Sequence, residues 1–317
     1  MQIRSITSQK AITLSLMPKQ ATSNIEKQIS STNPINLNSD PKAFAGRNLV
    51  FMGNLKPQIT KNSLIGALNN VLNEDAQSEK PVIKTIGENF IKNFAQKVTQ
   101  NPNRNILIGL SGESASGKSE ICNAVKEAAT NLGVEIETIS ADNYFKDISA
   151  LIAKHGSIVG VIDSGYDLDG PTNFDLELLR DDLKKLSEGK EVKIPKYSMD
   201  GTGISIPNAI SKQPKKVVLV EGLATLYEPV RSLLDAEIYI DIDATTQEAR
   251  YIERAIATRN QTKEAALEQL KYVREAAAKY LLPKRNASDI IVDGASEIKR
   301  FANLIESLRT NILKNIF

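Results

Sequence analysis

The chain has 317 residues, 41% hydrophobic and 25% charged, with 40 Lys and Arg against 38 Asp and Glu and a formal charge of +2. This is an ordinary globular composition, and a charge so nearly balanced excludes a nucleic-acid or polyanion binder that works through bulk positive charge. One cysteine, Cys122, excludes an intrachain disulfide, one histidine, His155, excludes a multi-histidine metal centre, and no apolar run reaches membrane-spanning length. The expected setting is the reducing cytoplasm, and the expected partner is a small-molecule substrate rather than nucleic acid or membrane. The composition is also compatible with a homo-oligomer.

Residues 1–45 are rich in Ser, Thr, Asn, Gln and Lys and almost without periodicity, which predicts a disordered tail. Residues 46–102 read as a helical extension. Within it "KNSLIGALNNVLN" and "VIKTIGENFIKNFAQKV" carry apolar residues at three- and four-residue steps, the spacing of two amphipathic helices. From 103 to 317 strands and helices alternate. The runs "NILIGL", "VEIETIS", "KVVLVEG", "AEIYIDI" and "DIIVDG" read as buried parallel strands, with intervals long enough for helical crossovers. The expected fold is α/β, an open and mostly parallel sheet with helices on both faces. Ligands in such sheets bind beyond the carboxyl ends of the strands.

After the first of these strands comes "GESASGKSE". Gly112, Gly117, Lys118 and Ser119 fit G-x-x-x-x-G-K-[ST] between a strand and a helix, the setting a P-loop requires, so the P-loop NTPase fold is expected. The two glycines reach conformations closed to residues with a Cβ, and the amides of Gly112, Glu113, Ser114, Ala115, Ser116 and Gly117 can converge on phosphate at a helix N-terminus. Lys118 then supplies a point charge and Ser119 a hydroxyl for Mg²⁺.

Other strand ends carry acids. Asp142, in "ADNYF", reads either as a turn aspartate or as a site carboxylate, with Tyr144 and Phe145 as candidate pocket walls. Glu221 ends "KVVLV", where P-loop enzymes place an acid for Mg²⁺ or its water shell. Asp167 and Asp169 lie on a loop before Pro171, where they either receive sugar hydroxyls or solvate the turn. Arg250, Arg254 and Arg259 are spaced along one helix, as a solvated face or as a lid over a transferring phosphoryl group. His155 falls near a helix end, and Cys122 reads as a buried structural thiol.

In order and spacing, these segments resemble the uridine kinase and phosphoribulokinase family over about 103–295. "GLSGESASGKSE", "SADNYF", "YDLDGPTNFDLELL", "KIPKYS", "VVLVEGLATL", "DAEIYIDIDATTQEARYIERAIATR" and "YLLPKRNASDIIV" carry the likeness. The resemblance implies an ATP- and Mg²⁺-dependent kinase that phosphorylates a hydroxyl, uridine kinase-like, with Asp142 as general base. It also implies Asp169 and Tyr197 at the acceptor, Ser119 and Glu221 at Mg²⁺, and Arg254 and Arg259 on the phosphates. Thr202 stands where uridine kinases place a uracil-reading histidine, and Tyr251 and Gln261 replace lid arginines. A kinase of a sugar phosphate, pantothenate or glycerate, or a degenerate nucleotide-binding protein, therefore stays open. A switch GTPase is disfavoured, because no N-K-x-D segment occurs.

Overall fold

The structure, a computed structural model, describes residues 60–259 and 261–316. The tail expected over 1–45 and the start of the extension fall outside the described residues. The chain runs through α1 (Lys61–Ala76), β1 (Ile83–Ile86), α2 (Phe90–Gln100), β2 (Ile106–Gly112), α3 (Lys118–Asn131) and β3 (Ile136–Ser140). Next come α4 (Ser149–His155), α5 (Ile158–Asp163), α6 (Leu176–Ser187), β4 (Val192–Tyr197), β5 (Ser205–Lys212) and β6 (Val217–Glu221). It closes with β7 (Ala236–Asp241), α7 (Ala244–Arg259), α8 (Lys263–Tyr280), α9 (Leu282–Arg285), β8 (Ile290–Asp293) and α10 (Ile298–Ile316).

The five strands expected from the apolar runs all form. Their sheet has the order β1-β8-β7-β2-β6-β3, parallel except for β1, which pairs antiparallel with β8. Side chains along β2 and β6 alternate between two cores, as a two-fold strand period requires when both faces are covered. Leu107, Val218 and Val220 face Leu179, Leu183 and Leu186 of α6. Leu110 and Leu219 face Ile121, Cys122 and Ala129 of α3 and Phe301 of α10. Cys122 is buried, and the loss of solvent pushes its thiol pKa up to about 12, so it is an unreactive packing residue.

Leu183 has no exposed surface and sits in the middle of the α6 seam. Leu183→Ala leaves a cavity at a site that a rigid sheet cannot collapse into. It is expected to cost about 2–5 kcal/mol, read as a Tm lowered by several degrees in thermal denaturation.

The extension departs from its expected form. α1 opens on a capping box between Thr60 and Ser63, but the second expected helix begins only at Phe90. Its first residues are β1, bracketed by Pro81 and Gly87, which interrupt a helix. Buried Asp75, on the last turn of α1, accepts hydrogen bonds from the amides of Val82 (3.0 Å) and Ile83 (2.8 Å) and so starts the strand. Lys84 of β1 pairs with Asp241 and Asp293 at the carboxyl ends of β7 and β8. The segment before Ile106 thus completes the sheet edge. Hairpin β4–β5 forms a separate two-stranded sheet.

Candidate active site

β2 lies between β6 and β7, so the chain order reverses around it and a crevice opens at its carboxyl end. The phosphate loop sits there. Gly112 has φ +143°, and a Cβ on it would meet the Ile240 carbonyl at 2.5 Å, so β7 enforces glycine. Gly117 has φ +97° and caps α3. Ala115 also adopts a left-handed φ of +64°, a constraint that the motif spacing does not reveal. Lys118 curls back over the loop and donates to the carbonyls of Gly112 (3.0 Å) and Glu113 (2.9 Å). Burial lowers its pKa, while the carboxylates of Glu221 and Asp142 oppose that shift. The Ser116 hydroxyl is buried in the loop without a partner, and Ser119 is exposed on the first turn of α3.

Asp142 sits in a 3₁₀ turn directly after β3, and Glu221 ends β6 in register with Ser140. Gly222 lets the two strand ends approach: a Cβ there would lie 3.2 Å from Asp142 Oδ1. Burial, then the negative charge of Glu221, pushes the Asp142 carboxyl up to about 7, against the pull of Lys118. Asp169 rises to about 6, through burial first and the charge of Asp167 second. Hydrogen bonds from Lys279 (2.6 Å) and Tyr280 outweigh burial at Asp167 and hold its carboxyl below the usual range, so Asp167 latches its loop to α8. Tyr197 ends β4, with its ring 5.2 Å from that of Phe145, which in turn packs 4.1 Å from Phe174.

A cleft of about 790 Å³ joins these groups, lined among others by Lys118, Asp142, Asp169, Tyr197, Tyr251 and Arg259. The two expected wall aromatics separate. Phe145 lines the cleft, whereas Tyr144 is buried and donates to Asp182 at 3.1 Å, because a 3₁₀ turn sends successive side chains in different directions.

α7 and α8 form a hairpin beside the loop. Arg254 donates to Ser114 Oγ at 2.7 Å, and its Nε is buried without a partner. Tyr251 is buried between the guanidinium groups of Arg254 (5.6 Å) and Arg259 (5.9 Å). Arg250 donates to the Gly294 carbonyl at 2.8 Å with its guanidinium beside Gly117 of the loop, while Arg259 is the arginine of the three that lines the cleft. Thr202, in the β4–β5 turn, is exposed and donates its hydroxyl to Asp200 at 2.6 Å.

An open parallel sheet with a glycine-rich phosphate loop at its switch point and acids on the neighbouring strand ends is the architecture of the P-loop kinases. Residues 107–299 match the sequence profile of the Phosphoribulokinase / Uridine kinase family. The chain belongs to that family and is a phosphotransferase acting on a hydroxyl group. It is 35% identical over 192 residues to the uridine kinase of Shewanella amazonensis, covering 59% of this chain and 86% of that protein. To uridine-cytidine kinase A of Dictyostelium discoideum it is 33% identical over 195 residues, 61% of this chain and 36% of that longer protein. The phosphoribulokinase of Rhodobacter spheroides superposes with a TM-score of 0.44 at 16% identity, over 61% of this chain and 74% of that one. Among the described residues, no helix is long and apolar enough to cross a membrane.

Proposed function

We propose that the chain transfers the γ-phosphoryl group of ATP, with Mg²⁺, to a ribose-type hydroxyl of a nucleoside. The observation that carries this reading is one cleft holding a phosphate-loop lysine and a strand-end carboxyl, Asp142, whose pKa lies near neutrality.

The loop fits a polyphosphate: its backbone is too close to β7 for a side chain at Gly112, and Ser116 Oγ and Arg254 Nε lack partners. Lys118 and the loop amides hold the phosphates. Arg254 and Arg259 offset charge on the transferring group, with Tyr251 between them. Asp142 accepts the proton of the acceptor hydroxyl as the new O–P bond forms, and Asp169 and Tyr197 bind and orient that acceptor. Ser119 and Glu221 offer a hydroxyl and a carboxylate, all-oxygen donors suited to Mg²⁺, which takes few protein ligands beside phosphate and water. When bound, Mg²⁺ supplies neutralisation of phosphate charge.

A kinase of another hydroxylated metabolite is the second reading, and Thr202 favours it. Its hydroxyl is spent on Asp200, and Thr202 itself does not line the cleft, whose walls here are Met199, Asp200 and Tyr166. ADP release measured with uridine, cytidine, purine nucleosides, sugar phosphates, pantothenate and glycerate separates the two. The expected result is nucleoside-dependent release with discrimination among bases below about 10²-fold, the range of a pocket without a dedicated polar reader. Release with a non-nucleoside acceptor alone rejects the nucleoside assignment. Release with none of the acceptors rejects the kinase assignment for this panel.

A further inference from the structure

The phosphate loop contains an acid. Glu113 follows Gly112 directly, and a free carboxylate there repels the anion that the loop is built to receive. Burial raises its pKa, and a hydrogen bond from Gln247 works against that rise. Gln247 lies on α7 and is only 1% exposed. Its Nε2 donates to Glu113 Oε2 at 2.7 Å and to the Ser114 carbonyl at 3.3 Å. Its Oε1 accepts from Arg274 Nε of α8 at 3.0 Å. The amide orientation is fixed by its partners, since a guanidinium only donates and an ionised carboxylate only accepts. Arg274 in turn donates to the Ala244 carbonyl at 2.8 Å and to Glu248 at 3.3 Å, both on α7.

One buried amide therefore joins the phosphate loop to both helices of the hairpin. Seven residues on, about two helical turns, Arg254 of the same helix reaches Ser114 Oγ. The 113–114 segment is thus gripped at the Glu113 carboxylate, the Ser114 carbonyl and the Ser114 hydroxyl, all from α7.

We infer that Gln247 is a positioning residue that locks the 113–114 segment of the phosphate loop to the α7–α8 hairpin and turns the Glu113 carboxylate away from the bound phosphates. The inference rests on the nucleotide reading above. It makes nucleotide affinity depend on a neutral donor at position 247, rather than on packing volume.

The test uses the full chain and equilibrium binding of ATP and ADP, alongside kcat, KM and Tm. Gln247→Leu removes the donor, and Gln247→Glu replaces it by an acid facing Glu113. The charged neighbours are Glu113 and Lys118 on the loop, Asp241 at the end of β7, Glu248 and Arg254 on α7, and Arg274 on α8. At about pH 8 both variants are expected to bind nucleotide some 10- to 100-fold more weakly than wild type, the loss of a buried charge-assisted bond. On acidification to about pH 5.5, Gln247→Glu recovers affinity relative to wild type, because a proton shared between two buried carboxyls restores a donor. Gln247→Leu does not recover.

Arg274→Ala, at a partly exposed position, keeps the fold testable should the buried variants misfold. It is expected to weaken binding by about 3- to 10-fold, because it frees the amide to rotate. Nucleotide affinity within twofold of wild type in a folded Gln247→Leu or Arg274→Ala overturns the inference. So does equal loss in Gln247→Leu and Gln247→Glu at every pH. Failure of wild type to bind either nucleotide overturns the nucleotide reading itself, and the inference with it.

Discussion

Lys118→Ala is expected to lower kcat/KM by about 10² or more, roughly 3 kcal/mol of transition-state stabilisation, with the fold retained. The ammonium group is buried in the loop, and burial already lowers its pKa, so its charge is held at an electrostatic cost that only an anion repays in full. In the structure its partners are the carbonyls of Gly112 and Glu113, dipoles rather than charges. Removing the side chain leaves those carbonyls accessible to water, so Tm should change little while turnover collapses. Steady-state kinetics and thermal denaturation of the same preparation read both effects. Near-wild-type turnover by a folded variant rejects the phosphate role of Lys118. Restoration by Lys118→Arg is not expected, because a planar fork does not replace a point charge in a loop this tight.

The parallel strands were legible because each is a short apolar run ended by a turn or an acid, and covering both faces leaves no polar alternation to blur it. β1 was not legible as a strand. "VIKTIGENFIKNF" carries helical spacing across its whole length, and what converts its first part is a tertiary capture: Asp75 takes the amides of Val82 and Ile83, and β8 offers an open edge. Propensity within the window holds no trace of that edge. Strand β5 was not legible either, since it is largely exposed and lacks an apolar run.

The site divides in the same way. Gly112, Gly117, Lys118 and Asp142 stand next to strand ends in the chain, so sequence order already places them. Gln247 and Arg274 act across 27 residues of sequence through a helix contact, and no motif marks them. One weak signal exists. Gln247, Tyr251 and Ala255 recur at four-residue steps and are all buried, which makes Gln247 a polar residue on the packed face of α7. A buried amide on such a face needs partners, and here the partners are the phosphate loop and Arg274 of α8.

Asp142→Asn separates chemistry from binding and carries a second readout in stability. The substitution keeps the shape and one acceptor atom but removes basicity and charge, so kcat is expected to fall by about 10²–10⁴, the usual worth of general-base catalysis, with nucleotide affinity little changed. In the wild type, kcat/KM for nucleotide should fall as pH drops through about 7, where the carboxyl takes up its proton, and that limb should vanish in the variant. The same pKa sets a stability cost. It lies above the ordinary value of 3.8, so folding favours the protonated form. The contribution of Asp142 to stability is then fully present below 3.8 and is lost as pH rises through about 7. At alkaline pH the ionised carboxylate beside Glu221 destabilises the fold, and Asp142→Asn removes that burden. The variant should therefore melt higher than wild type at about pH 8, and the gap should close on acidification. A variant that loses turnover while gaining Tm identifies a carboxylate kept for function against its own electrostatics. If Asp142→Asn instead abolishes nucleotide binding in the presence of Mg²⁺, Asp142 belongs to the metal site. The base is then to be sought at Asp169, whose carboxyl also stands above its ordinary range, at about 6, in the same cleft.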